Sequence, residues 1–196
     1  KTIINAAEIS YPINLLALNP KIIKHNLKTN LSLESVSINR QIISNKLIIN
    51  VLERDPIAYA NRISEKGFEK GMIDKNGIWI PFTFNKKILG KGIDLEVEGW
   101  TEEQREWISL IILHRNNLGS PLKRIMLSPN GKINLQTKGF ELVRLGANRN
   151  LLKDQIKILF HLHKTLPSKF INQPGSTIDL RDPSKPEVKT PKKILN

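Results

Sequence analysis

The first fold signal in this chain lies in residues 47–58, which read Leu47-Ile48-Ile49-Asn50-Val51-Leu52-Glu53-Arg54-Asp55-Pro56-Ile57-Ala58. Side chains on a strand alternate between its two faces, and residues 47–52 place apolar side chains on both. A second extended stretch, residues 35–40, comes before it, and the polar run Ser44-Asn45-Lys46 separates the two. Two such stretches around a short polar connection predict a β-hairpin.

Two short helices are predicted before this hairpin. Residues 2–9 carry apolar side chains at helical spacing. Residues 19–30 begin with Asn19-Pro20, where asparagine can cap free backbone N–H groups and proline is tolerated at the first helical position. Because helices and a hairpin bury their apolar faces against each other, we predict that residues 1–62 form one small unit.

The rest of the chain is predicted to be mostly β. Two Asn-Gly pairs, Asn76-Gly77 and Asn130-Gly131, each lie between apolar stretches, which is the strongest short-range signal for a hairpin. Further extended stretches lie at residues 96–98, 141–146 and 177–181.

Two longer helices are predicted to interrupt these strands. Residues 101–117 open with Thr101-Glu102-Glu103-Gln104, a capping box whose side chains can satisfy each other's backbone N–H groups. Its predicted apolar stripe consists of Trp107, Leu110, Ile111 and His114. Residues 151–166 form the second helix, predicted to bury Leu152, Ile156, Leu159, Phe160 and His163.

These elements predict an α+β fold with two domains and a tail. A unit of two helices and a β-hairpin (residues 1–62) is followed by a mostly antiparallel β domain with two interrupting helices (residues 63–183). Residues 184–196 form a basic, Pro- and Lys-rich C-terminal tail, because prolines and repeated lysines are typical of a chain leaving its fold.

The charge of the chain leaves nucleic acid open as a partner but does not favour it. The formal net charge is +13, of which residues 1–90 carry +6 and residues 91–196 carry +7. Nucleic-acid binders usually concentrate basic residues on one face and interleave aromatic residues, which here make up only 6%. An even spread therefore favours a protein that does not bind nucleic acid.

The residues predict a protein that is not an enzyme and that needs neither a metal nor another cofactor. The chain has no cysteine, which excludes thiolate metal sites and thiol nucleophiles. His161 and His163 lie two positions apart on a helix, so they point in different directions and cannot share a metal. Glu96 and Glu98 share one face of a strand, but two carboxylates are too few for a metal site. No small-molecule substrate is predicted.

Four motifs, in order, resemble the FtsQ/DivIB family of bacterial cell-division proteins. The hairpin ending in Glu53-Arg54-Asp55-Pro56-Ile57-Ala58 is similar to the last two strands of the family's POTRA domain, in which Arg40 would close the first strand. Asp74-Lys75-Asn76-Gly77 is similar to the hairpin that starts its β domain. Leu145-Gly146 with the helix after it, and then Ile178-Asp179-Leu180-Arg181, match the family's C-terminal order.

The same resemblance has departures. The family's POTRA domain begins with a strand before its first helix, and that strand is missing, so the first unit is identified as a truncated POTRA. We expect the strand, a membrane span and a cytoplasmic tail upstream of Lys1. Residues 11–16 are similar to cyanobacterial members of the family.

The resemblance implies a divisome scaffold without catalytic activity. It would be a single-pass inner-membrane protein with this region in the periplasm, recruiting FtsB/DivIC-like and FtsL-like partners and, through them, the septal peptidoglycan synthase. Other divisome membrane proteins would bind the POTRA unit. Partner binding by β-strand addition would use the edge from residue 181 to residue 188, with Arg181, Asp182, Ser184, Lys185, Glu187 and Val188 as its binding residues.

Other readings of the same residues remain open. Pro183 and Pro186 each remove a backbone donor, so residues 181–188 are also consistent with a frayed tail. A POTRA module of an outer-membrane translocation system is the main functional alternative, and a basic nucleic-acid-binding protein is a weaker one.

Overall fold

The computed structural model describes residues 2–10, 14–65, 67–82 and 92–190. The chain divides into two compact units. The first consists of Lys1–Asp55 with Ile80–Lys86, and the second of Pro56–Trp79 with Lys87–Asn196. The α+β class predicted from the sequence is confirmed.

The first unit has the predicted two helices and hairpin. Helices α1 (Thr2–Ala6) and α2 (Pro20–Asn30) precede strands β1 (Leu33–Gln41) and β2 (Lys46–Glu53), which pair antiparallel. Asn19 caps α2, because its Oδ1 accepts a hydrogen bond from the backbone N–H of Lys21 at 3.0 Å. One face of the hairpin joins a small core of Ala7, Leu18, Ile23, Leu27, Leu33 and Val36.

The second unit carries a large mixed sheet and two helices. Its elements in chain order are β3 (Pro56–Ser64), β4 (Gly67–Asp74), the first residue of β5 (Trp79–Pro81), β6 (Glu96–Glu98), α3 (Arg105–Leu113), β7 (Leu122–Leu127), β8 (Ile133–Thr137), β9 (Leu142–Gly146), α4 (Leu152–Thr165), β10 (Thr177–Asp179) and β11 (Glu187–Lys189). The strand order is β11-β10-β9-β8-β7-β6-β3-β4-β5. Strand β6 is parallel to β3 and β7, and β10 is parallel to β9.

Helices α3 and α4 share a core with one face of this sheet. Trp107, Ile108 and Ile111 of α3, and Ile156 and Leu159 of α4, belong to the same buried cluster as the strand residues Ile125, Ile133, Leu135, Val143 and Ile178. The intervening strand residues, such as Arg124, Gln136 and Arg144, are only half-buried. The sheet therefore buries one face under helices and leaves polar side chains on the other.

The division between the units falls before the position expected from the sequence. The first unit ends at Asp55 and not at residue 62, because β3 pairs with β4 and β6 of the larger sheet. At the other end, residues 187–189 of the predicted tail form β11, which pairs with β10. Residues 191–196 of that tail lie outside the described residues.

The start of α3 differs from the predicted capping box. A 3-10 turn at Glu102–Gln104 precedes the helix, and the Thr101 side chain makes no capping hydrogen bond. Gln104 is buried, and its Nε2 donates to the carbonyl of Ser128 at 3.4 Å. The apolar stripe also differs, since Leu110 is 39% exposed while Ile108 and Ile112 are buried.

Within the part of the chain that the structure describes, no helix has the length and apolar character needed to span a membrane.

Candidate partner-binding edge

Strand β11 is the last strand at one end of the nine-stranded sheet. It pairs antiparallel with β10, opposing Thr177 to Lys189, Ile178 to Val188 and Asp179 to Glu187. Among the described residues no strand lies on its outer side. An edge strand of this kind presents unpaired backbone groups that another chain can use.

The hydrogen bonds of β10 determine which groups of β11 face outward. The N–H of Leu180 donates to the carbonyl of Arg144 at 2.8 Å, and the carbonyl of Ser176 accepts from Leu142 at 3.3 Å. Backbone groups alternate along a strand, so residues 176, 178 and 180 face β9, and Thr177 and Asp179 face β11. We infer that Glu187 and Lys189 bond to β10, while the N–H and C=O of Val188 point outward.

The side chain of Val188 is anchored although its backbone faces outward. It is half-buried and packs against the main core cluster, opposite the fully buried Ile178. Burial of this side chain fixes the register of β11.

Four of the predicted binding residues lie in the turn before β11. Arg181 bonds Asp179 through Nε and Nη2, at 3.0 and 2.7 Å from Oδ2. The Oδ1 atom of Asp182 accepts from the backbone N–H and the hydroxyl of Ser184, and the N–H of Lys185 donates to the Asp182 carbonyl. The predicted edge is therefore a hydrogen-bonded turn followed by a three-residue strand, and both prolines lie in the turn.

The carboxylates of Asp179 and Asp182 stabilise the turn in their ionised form. The hydrogen bond from Arg181 holds the pKa of Asp179 below its usual range, and the Arg144 guanidinium, 3.8 Å away, acts in the same direction. The hydrogen bonds from Ser184 lower the pKa of Asp182. Because the folded-state pKa of Asp179 lies below the unfolded value, its contribution to stability is present at neutral pH and is lost as the pH falls through the folded pKa.

Gln155 supports the edge from beneath and was missed from the sequence. It is 1% exposed, and its Nε2 donates to the carbonyls of Leu145 and Leu180 at 2.7 and 2.8 Å. These two bonds fix α4 to the ends of β9 and β10. The available signal was a polar residue at position i+3 from Leu152, inside the apolar stripe of α4.

The histidines and carboxylates lie in separate surroundings. His25 and His161 are exposed on α2 and α4, while His163 packs edge-on against Phe140 with ring centroids 6.2 Å apart. Both carboxylates of β6 bind Arg124, at 2.7 and 3.2 Å. Among the described residues, no three or more His, Asp or Glu side chains are grouped to hold a metal ion.

Two comparisons with known proteins agree with this architecture, one with a family model and one with a single relative. The family model "POTRA domain, FtsQ-type" matches residues 1–54, which correspond to the first compact unit. The chain is therefore of the class in which an FtsQ-type POTRA domain is followed by a β domain.

The second comparison concerns nearly the whole chain. It is 27% identical over 192 residues to a protein named Cell division protein FtsQ from Rickettsia bellii (strain RML369-C). The match covers 94% of this chain and 64% of that protein, so the chain spans about 64% of the length of this curated relative. Together the two matches support the FtsQ/DivIB family, and the resemblance found in the motifs is confirmed.

Proposed function

We propose that this chain is the extracytoplasmic region of a cell-division scaffold that binds partner proteins by adding their strands to β11. Two findings support a division role, namely the FtsQ-type POTRA match and the likeness to a protein named Cell division protein FtsQ. The observation that carries the binding mode is the outer side of β11, on which no strand of the described residues lies, next to a turn held by Arg181 and Asp182.

The partners in this proposal are FtsB/DivIC-like and FtsL-like division proteins, and through them the septal peptidoglycan synthase. The intact protein is a single-pass inner-membrane protein with this region in the periplasm, and the POTRA unit binds other divisome membrane proteins. The FtsQ-type match favours this role over a module of an outer-membrane translocator. The scaffold has no catalytic role.

The physical basis of binding is backbone pairing at a short edge. Val188 supplies one outward N–H and one outward C=O, and a partner strand that pairs with them extends the sheet. Backbone bonds alone do not select a partner, because every strand offers them. Selectivity comes from the flanking side chains, of which Arg181 and Glu187 are more than one-third exposed.

The test uses a substitution that removes the outward donor, with a control for the accompanying loss of the valine side chain. Val188→Pro deletes the N–H that faces the partner and leaves the inward donors of Glu187 and Lys189 in place. We expect it to abolish capture of an FtsB-like partner in a pull-down with purified proteins, while the circular dichroism spectrum stays that of the wild type.

The matched control is Val188→Ala, which shortens the side chain but keeps the N–H. It is expected to retain capture. A further variant, Arg181→Ala, removes the guanidinium bonds to Asp179 and is expected to weaken capture without abolishing it. Undiminished capture by the proline variant contradicts the proposal and would move the site away from β11.

A further inference from the structure

A cavity of about 320 Å³ opens between the C-terminal end of α3 and one side of α4. It lies within the second unit, and none of its lining residues belongs to the turn or to β11. Its lining residues are His114, Asn117, Lys153, Ile156, Lys157 and Phe160.

The floor of the cavity is apolar, and exposed apolar side chains of α3 extend this surface beyond the cavity. Ile156 is buried and Phe160 is half-buried, and they are four residues apart on α4. On the α3 side, Leu110 lies one turn before His114 and is 39% exposed, and Leu113, three residues after Leu110, is 72% exposed. Residues three or four apart share a helix face, so these side chains extend the floor along α3. We call this surface, with the cavity, the α3–α4 groove.

Positive charge lines the side of the groove that α4 forms. Lys153 and Lys157 are exposed and one helical turn apart. The Nζ of Lys164 lies 4.2 Å from the centre of the Phe160 ring. Lys157 pairs with Asp154 at 3.3 Å, whereas Lys153 has no ion-pair partner among the described residues. The lysines therefore outnumber the carboxylates along this side.

We propose that the α3–α4 groove binds an acidic amphipathic helix of a partner protein. Apolar side chains at i, i+4 and i+7 of that helix enter the groove, and its flanking carboxylates reach Lys153 and Lys157. Charge complementarity selects this occupant, because an apolar floor beside more lysines than carboxylates matches a helix with one apolar and one acidic face. The surface is separate from β11, so it adds a second binding site to the proposed scaffold.

The experiment measures binding of a defined probe by fluorescence anisotropy at about 0.15 M salt. The probe is a fluorescein-labelled 16-residue peptide with leucine at i, i+4 and i+7, glutamate on the flanking positions and alanine elsewhere. A second peptide has the same composition in scrambled order. We expect the chain to bind the first peptide and to bind the scrambled one at least about tenfold more weakly.

Charge reversal of the groove is the main variant. Lys153→Glu with Lys157→Glu is expected to weaken probe binding about tenfold or more. The matched control reverses two exposed lysines outside the groove, Lys132→Glu with Lys138→Glu, and changes the net charge equally. It is expected to change binding less than about twofold, since exposed charges at a distance are screened.

Two further variants separate the possible outcomes. Leu113→Gln, at an exposed position, is expected to weaken binding severalfold without altering the fold. Val188→Pro is expected to leave probe binding unchanged, so that failure of the groove and failure of the β11 edge are distinguishable.

Several results would overturn the proposal. The proposal fails if the probe does not bind measurably or if the scrambled peptide binds equally well. It also fails if the groove variant and the control lysine variant lose the same amount of probe binding. Self-association that the groove variant abolishes would assign the groove to a second copy of this chain. Binding to phosphatidylglycerol vesicles, lost in the groove variant while the peptide fails to bind, would assign it to a membrane.

Discussion

Two turns with the same sequence signal carry different structural roles in the second unit. Gly77 follows β4 and Gly131 follows β7, with φ of 71° and 77°. In each turn the glycine N–H donates to the carbonyl three residues before it, Asp74 or Ser128, at 2.9 Å. Local backbone geometry is therefore nearly the same in both turns.

The surroundings of the two turns differ. Asp74 is 3% exposed, and its Oδ1 accepts from the N–H groups of Asn76 and Ile78 at 2.9 Å each. The indole Nε1 of Trp100 donates to the Gly77 carbonyl at 2.8 Å. Around Gly131, by contrast, an added Cβ would meet nothing within 4 Å. The same local signal thus forms one turn built into the core and one on the surface, and their tolerance of substitution should differ.

The largest effect is expected at Asp74. Asp74→Ala removes the acceptor of two backbone N–H groups in a buried position, and we expect a loss of about 3 kcal/mol in the free energy of unfolding. Urea unfolding followed by tryptophan fluorescence measures it. The matched control is Ser128→Ala in the surface turn, expected within about 0.5 kcal/mol of the wild type. Equal losses of stability in the two variants would mean that the burial of Asp74 does not make its turn less tolerant of substitution than the surface turn.

The next effect is expected at Gly77. Gly77→Ala places a Cβ 2.8 Å from the backbone carbonyl of Arg105 and keeps a positive φ, so strain and a steric clash add. We expect a loss of about 2–3 kcal/mol in the same urea experiment. A loss below about 1 kcal/mol would show that the start of α3 can move away from the turn.

The hydrogen bond from Trp100 is expected to contribute less. Trp100→Phe leaves the Gly77 carbonyl without this donor, and its matched control is Trp107→Phe, since the Nε1 of Trp107 has no hydrogen-bond partner among the described residues. Both changes remove similar volume. We expect Trp100→Phe to be more destabilising by about 1 kcal/mol, measured by thermal and urea unfolding. If the two variants lose equal stability, the hydrogen bond from the Trp100 indole does not stabilise the turn at Gly77.

Sequence patterns predicted the elements whose signal is local. Asn19-Pro20 fixed the start of α2, and the two Asn-Gly pairs fixed their turns, because capping and positive φ depend on the residues themselves. Strand β3 was missed, since Ala58 and Ala60 are small and carry little apolar signal. They are buried because β4 and β6 flank them, which is a tertiary effect.

The sequence indicated where an edge strand lies but not the form of that edge, and partner binding there stays a prediction. Ile178-Asp179-Leu180-Arg181 identified the right end of the sheet, and the residues after it include the edge strand. The division into a turn and a strand depends on the bonds of Arg181 and Asp182 to side chains two residues away. Which backbone groups face outward depends on the register with β10, and a single sequence does not specify that register.

The smallest effect is expected in the surface turn, where only backbone conformation is at issue. Gly131→Ala retains a positive φ without a clash, so its cost is that of placing alanine in a left-handed conformation, about 1 kcal/mol. Gly131→Asn, which tolerates this conformation better, is expected to cost less. Urea unfolding of these variants beside Gly77→Ala measures the difference between the turns directly. If Gly131→Ala costs as much as Gly77→Ala, backbone strain alone explains both, and the contact with Arg105 contributes nothing.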